Sequence, residues 1–246
     1  MRNPKSLQRM LSVLITVSMV IGISPFNIIS LSTVSAETET PVTDNEGYYL
    51  ISNTDQLYWF AEQVKGGNNE INVKLTNDIT VNVDLVNKIN NGAYANQFKQ
   101  WLPVGKESKR YLGEFDGQGH KISGLFMQNS NNDYWDYSGV FGYVGNTAII
   151  KNLGIEDFYL TGISNIGGFC GYNYGTISNC YAKGTINLGS GVGGICGNNY
   201  GNIDNCYSIV DEMHISNDDR ADGDKGGICG TNRGSITNCY SAGYTS

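Results

Sequence analysis

Gly167-Gly168-Phe169-Cys170-Gly171-Tyr172-Asn173-Tyr174-Gly175-Thr176-Ile177-Ser178-Asn179-Cys180-Tyr181 returns twice more in nearly the same spelling, at Gly193 to Tyr207 and at Gly226 to Tyr240. In each copy two cysteines stand ten positions apart, and the second follows Ile-x-Asn. A repeat this regular is one structural unit stacked on itself. The first cysteines, Cys170, Cys196 and Cys229, are 26 and then 33 residues apart, so the frame is constant while the connections vary in length.

The frame extends backwards. Gly139-Val140-Phe141-Gly142 matches Gly168-Phe169-Cys170-Gly171, and Ile150-Lys151-Asn152-Leu153 matches Ile177-Ser178-Asn179-Cys180. Phe141 and Leu153 thus hold the places that cysteines hold later, which marks the cysteines as core positions. Ile122-Ser123-Gly124-Leu125 reads as an earlier, looser copy of the second segment. Short apolar segments separated by Gly, Asn and Ser, in a chain with 32 glycines, do not suit an alternation of helices and strands. They suit an all-β, right-handed parallel β-helix, each repeat forming one coil. About five to seven coils at roughly 4.8 Å each are expected. Asn152, Asn179, Asn205 and Asn238 would then stack as an amide ladder.

Upstream, Arg2, Lys5 and Arg9 precede an apolar run from Leu11 to Ile23, and Val34-Ser35-Ala36 offers small residues for cleavage. Residues 1–36 read as a signal peptide, which places the product outside the cell, secreted or on the cell surface, with no membrane segment after cleavage. Residues 37–46 read as a linker. Residues 47–112 read as an N-terminal cap with the first coils, and residues 113–246 as the repeat coils. Within the cap, Leu57, Phe60, Ala61 and Val64 recur at helical spacing after Thr54, and Gly66-Gly67 follows. A short capping α-helix over 54–65, with Thr54 as its N-cap, is expected to cover the open end of the solenoid. Asn72 to Val83 reads as one alternating strand.

Charge excludes one class of partner. Without the first 36 residues the chain has 13 Lys and Arg against 23 Asp and Glu, a net charge of −10, so nucleic acid is not expected.

The Gly-Gly-x-x-Gly-x-Asn-x-Gly-x-Ile-x-Asn-Cys-Tyr pattern resembles the GLUG motif, which recurs in secreted and cell-surface bacterial proteins and in some IgA-cleaving metallopeptidases. Gly168–Tyr181, Gly194–Tyr207 and Gly227–Tyr240 match it closely and Gly139–Leu153 loosely. Tyr49-Leu50-Ile51, Leu75-Thr76-Asn77-Asp78-Ile79 and Phe115-Asp116-Gly117-Gln118-Gly119 resemble the opening of bacterial β-helix proteins. The resemblance implies a pectate-lyase-like β-helix at the bacterial surface. Valine often stands in the family where Cys170, Cys196 and Cys229 stand here.

Six cysteines in an exported chain suggest disulfides. Pairing within a coil (Cys170–Cys180, Cys196–Cys206, Cys229–Cys239) uses all six, pairing between stacked equivalents leaves one over in each column, and reduced apolar filling is the third reading. Catalytic signals are thin. His120 and His214 belong to no H-E-x-x-H, so the peptidase chemistry of some relatives does not carry over, and no G-x-S-x-G occurs. Glu114 with Asp116 reads as structural.

Two insertions break the frame. Asn129 to Tyr137 sets Tyr134, Trp135 and Tyr137 beside Asp133 and Asp136, a set able to stack on a sugar and accept its hydroxyls. Asp211 to Lys225 carries Asp218, Asp219, Asp222 and Asp224, acids that can hold calcium although EF-hand spacing is absent; no other cofactor is expected. The expected role is a non-catalytic surface module in adhesion, contacting a glycan or a host or neighbour-cell surface protein. The alternatives are a carbohydrate-active β-helix enzyme, or a stalk or fragment of a larger surface protein or peptidase.

Overall fold

The computed structural model describes residues 40–128, 137–187, 189–214 and 224–243. Residues 1–36, expected to be a signal peptide, lie outside them. Short strands stack into a parallel solenoid, and every pairing between strands in the four sheets is parallel. The coil that begins at Ser164 passes through all four: Ser164–Gly167, Cys170–Asn173, Thr176–Ser178 and Tyr181–Asn187. The next coil repeats the order with Ser190–Gly193, Cys196–Asn199, Asn202–Asp204 and Tyr207–His214.

We call the seven-stranded sheet through Thr176–Ser178 sheet I and the one through Tyr181–Asn187 sheet II. Sheet III runs through Cys170–Asn173, and sheet IV through Ser164–Gly167. The interior is a set of side-chain columns. Val73, Phe115, Ile150, Ile177, Ile203 and Ile236 stand in register along sheet I, and the first five are fully buried. Phe141, Cys170, Cys196 and Cys229 do the same along sheet III, as the repeat alignment predicts.

Two Asn columns hold the corners. Asn152, Asn179, Asn205 and Asn238 take φ of 54°, 53°, 51° and 53°, the left-handed conformation that Asn tolerates better than other side-chain-bearing residues. Their amides join along the column, Asn179 Nδ2 to Asn152 Oδ1 at 3.3 Å and Asn205 Nδ2 to Asn179 Oδ1 at 2.6 Å. Asn238 leaves the ladder and donates to Asp204 Oδ1 at 3.0 Å. The second column is internal. Asn173 Nδ2 donates to Asn199 Oδ1 and Asn199 Nδ2 to Asn232 Oδ1, both at 2.8 Å. Beside it the backbone turns tightly. A Cβ on Gly201 would lie 2.1 Å from the Gly175 carbonyl oxygen, so only glycine fits there.

Helix α1, Thr54–Gly66, closes the N-terminal end. Phe60 is fully buried, with ring centroids 5.4 Å from Phe115 and 6.4 Å from Phe141, the early members of the sheet I and sheet III columns. Its N-cap is Asn53, whose side chain accepts from Gln56 N at 3.0 Å, whereas Thr54 Oγ1 donates to the Thr80 carbonyl. Gly67 at φ 108° ends the helix.

Four expectations shift. Asn72 to Val83 is two strands, Val73–Leu75 in sheet I and Ile79–Thr80 in sheet II, because the chain turns a solenoid corner between them. Ile122 pairs with Ile155 in sheet II rather than with Ile150, which Phe115 faces in sheet I. The Gly117-Gln118-Gly119 corner adds length there, and the Ile-Ser spelling had aligned it one sheet too early. Residues 41–46, expected as linker, are docked: Leu50 N donates to the Val42 carbonyl, and Lys74 pairs with Asp44 at 2.8 Å and Glu46 at 2.7 Å. A second helix, α2 (Leu85–Asn90), was not expected. Asp157, a bulge residue at φ 48° in sheet II, accepts from Leu85 N at 2.7 Å and Val86 N at 3.0 Å, and so caps α2 from across the chain.

Candidate binding face

The residue after each second cysteine points outward, because side chains alternate across a strand. In the three full repeats that residue is tyrosine, and Tyr181, Tyr207 and Tyr240 are in register at the start of sheet II. Their rings stack at 5.0 Å and 5.1 Å, tilted by only 5° and 7°. Below Tyr181 the register partner is Gly154, where a Cβ would come within 2.4 Å of the Tyr181 ring. One end of the stack therefore lies against backbone. In the last described coil Tyr240 is 60% exposed.

Charged groups line the stack. Tyr181 donates its hydroxyl to Glu156 Oε1 at 2.8 Å, and Lys121 Nζ reaches Glu156 Oε2 at 2.8 Å. Lys121 holds the Glu156 carboxyl below the usual range, with Tyr181 contributing against the opposing effect of burial. Burial, then Glu156, pushes the Tyr181 phenol up. Lys183 is exposed in register with Glu156. The face thus offers phenol edges and hydroxyls, a fixed anion and two cations. Ring faces suit the apolar faces of planar or pyranose rings, and the flanking groups suit hydroxyls.

A second aromatic column stands at the corner between sheets III and I. Tyr174 and Tyr200 stack at 4.9 Å, with Arg110 4.5 Å over Tyr174 and Arg233 5.4 Å over Tyr200. Both ends of this column are closed by guanidinium groups.

Of the residues singled out from sequence, Asp133, Tyr134, Trp135 and Asp136 lie outside the described residues. Tyr137 is only 8% exposed, its ring edge-on to Tyr143 at 4.8 Å, which is a packing position. Asp218, Asp219 and Asp222 also lie outside the described residues. Asp224 is exposed and accepts from Thr231 Oγ1 at 2.9 Å. Among the described residues no three acids, His or Cys come together as a metal site. Both insertions connect a sheet II strand to the sheet IV side of the next coil.

His120 Nδ1 is 3.1 Å from Asp78 Oδ1, and Asp116 accepts from Gln118 N and Asn152 Nδ2, so both tie corners of successive coils. No disulfide joins any two of the six cysteines in the structure. The two of one coil belong to different sides of the bore, whereas equivalents meet along the axis: Cys170 Sγ lies 3.5 Å from Cys196 Sγ. The sequence carries the signal for this face, a tyrosine immediately after the second cysteine in each of the three full repeats, but only the register of the coils stacks the rings.

The GLUG motif family matches residues 162–187, which is one complete coil from sheet IV through sheet II. The chain is 32% identical over 82 residues to a protein of Evansella cellulosilytica described as an inferred Gly-rich membrane protein, a stretch that is 32% of this chain and 9% of that protein. It is 35% identical over 77 residues to halomucin of Haloquadratum walsbyi, 31% of this chain and 1% of that one. The matches thus span less than a tenth of either curated relative. A crystal structure from Bacteroides ovatus, described as an inferred immunoglobulin A1 protease, superposes with a TM-score of 0.53 at 19% identity, over 82% of this chain and 77% of that one. At that identity the likeness is one of fold. One motif for one coil, on a parallel solenoid of shared fold, makes this chain a GLUG-motif-containing β-helix protein.

Proposed function

We propose that the chain is a surface β-helix module that binds polysaccharide along the outer face of sheet II. The observation that carries this reading is the tyrosine stack: Tyr181, Tyr207 and Tyr240 in register at 5.0 Å and 5.1 Å on the outer face of sheet II. The rung spacing is close to the length of one extended pyranose unit, so a glycan chain running parallel to the axis meets one tyrosine per sugar, with the charged groups on the lower coils only. Its hydroxyls pair with Lys121, Glu156, Lys183 and the phenols.

Glu156 is held ionised by Lys121 and Tyr181, which suits a hydrogen-bond acceptor for sugar hydroxyls. The names of the relatives, a membrane protein and a halomucin, support a location at the cell surface. A glycan array probed with the whole chain tests the reading. Binding to an extended polysaccharide class is expected, and silence on every glycan would overturn it.

A further inference from the structure

The cysteine columns carry chemistry that neither packing nor glycan binding uses. Cys170, Cys196 and Cys229 are in strict register, and Tyr181, Tyr207 and Tyr240 put Cys180, Cys206 and Cys239 in register one residue earlier. Neighbouring thiols in a column are close: Cys170 Sγ to Cys196 Sγ is 3.5 Å, and Cys206 N donates to Cys239 Sγ at 3.4 Å. Adjacent coils hold equivalent Cα atoms about 4.8 Å apart, inside the range a disulfide spans, whereas alternate coils, at about twice that, lie outside it. In each column only the central cysteine can therefore reach both others.

We propose that each column is a site of oxidative crosslinking between coils, in which one disulfide joins the central cysteine, Cys196 or Cys206, to one of its two neighbours. The entry points are Cys229 and Cys239, which are partly exposed, while Cys170, Cys180, Cys196 and Cys206 are buried. The oxidant is an external disulfide, a small molecule or a thiol–disulfide oxidoreductase. Cys229, whose thiol the hydrogen bond with Cys196 and burial push up, must first lose its proton; its sulfur then attacks one sulfur of that disulfide, forming a mixed disulfide and releasing one carrier thiolate. Cys196, losing its proton, then attacks the Cys229 sulfur and expels the second carrier thiolate. Two protein thiols give up two electrons and two protons, and the external disulfide becomes two thiols. Attack by Cys170 on Cys196 moves the bond inward and returns Cys229 to a thiol.

The second column is built for the same step, with Cys239 the partly exposed entry and Cys206 the central member in register with both neighbours.

Oxidation of the whole chain with glutathione disulfide, followed by denaturation, alkylation and intact mass, tests this. Two alkylated thiols and a loss of four hydrogens are expected. Six alkylated thiols, none, or a lasting glutathione adduct in place of a crosslink would overturn it. Substitution separates the columns from any other pairing. Cys196→Ser should leave three thiols to alkylate, because Cys170 and Cys229 cannot meet, whereas Cys170→Ser should leave one. Equal counts in the two variants would contradict the proposal. Peptide mapping of the oxidised wild type keeps the test independent of whether a variant folds: Cys196 linked to Cys170 or Cys229 is expected, and Cys196 linked to Cys206 would overturn it.

Discussion

The Asn173 side-chain amide donates to the Asn199 carbonyl oxygen at 2.8 Å in the fully buried interior of the solenoid, one coil to the next. Asn199 passes the same bond to Asn232, and its carbonyl also accepts from Gly201 N at 3.3 Å. Truncating the middle member removes the bonds to Asn173, Gly201 and Asn232 together, although Asn173 Nδ2 keeps the Gly175 and Asn202 carbonyls and Gly201 N keeps the Asn173 carbonyl. Asn199→Ala is expected to cost roughly 1–3 kcal/mol in all. Urea unfolding of wild type and variant measures it, and an unchanged midpoint would contradict the ladder's role.

The corner asparagines are selected for backbone conformation as well as for their amides. At Asn205, φ 51°, a β-branched residue should cost more than glycine, which has no Cβ to oppose the left-handed region. Asn205→Val is expected to lose about 2 kcal/mol or more, and Asn205→Gly clearly less, by thermal or chemical unfolding. The reverse order would show that the amide alone matters.

Asp157 joins a bulge in sheet II to the first two amides of α2. Asp157→Ala should free that helix, with amide exchange in residues 85–90 rising while the sheet I core stays protected, and a loss of about 1 kcal/mol overall. Unchanged exchange at Leu85 and Val86 would refute the cap.

Acid should weaken the fold in a defined window. Burial alone would raise Asp116, but Gln118 N, Asn152 and Lys151 outweigh it and hold its carboxyl low; Lys121 does the same for Glu156. Groups whose folded values are depressed contribute stability that is fully present above their unfolded range, about 4, and lost as pH falls through the folded values. The unfolding midpoint should therefore drop below that range, and Asp116→Asn should make the drop shallower. A variant with the full acid slope would exclude Asp116 as a contributor.

Much of this architecture is legible in the chain because solenoid coils repeat their inward residues. Phe141 and Cys170, spelled differently, share a slot because both fill the bore, and the Gly and Asn around them mark the corners. Reading fails where a corner changes length, as at Gly117-Gln118-Gly119, since the Ile122 spelling survives while its sheet changes. Helix α2 has six residues and a cap from Asp157, 72 positions from Leu85, so nothing local announces it. The internal Asn173 column was hidden because a buried amide looks like any turn asparagine until the next coil supplies its partner. The tyrosines were in plain view but are ordinary strand residues until the register stacks them.

The binding face stands or falls on Tyr240. Titration calorimetry of wild type and Tyr240→Ala against the oligosaccharide that binds best on the array, with unfolding curves to show that both are folded, reads its contribution directly. Loss of a stacked ring predicts a several-fold to tenfold weaker Kd, the latter about 1.4 kcal/mol. Equal affinity in the two folded proteins would contradict a glycan site on the sheet II tyrosines.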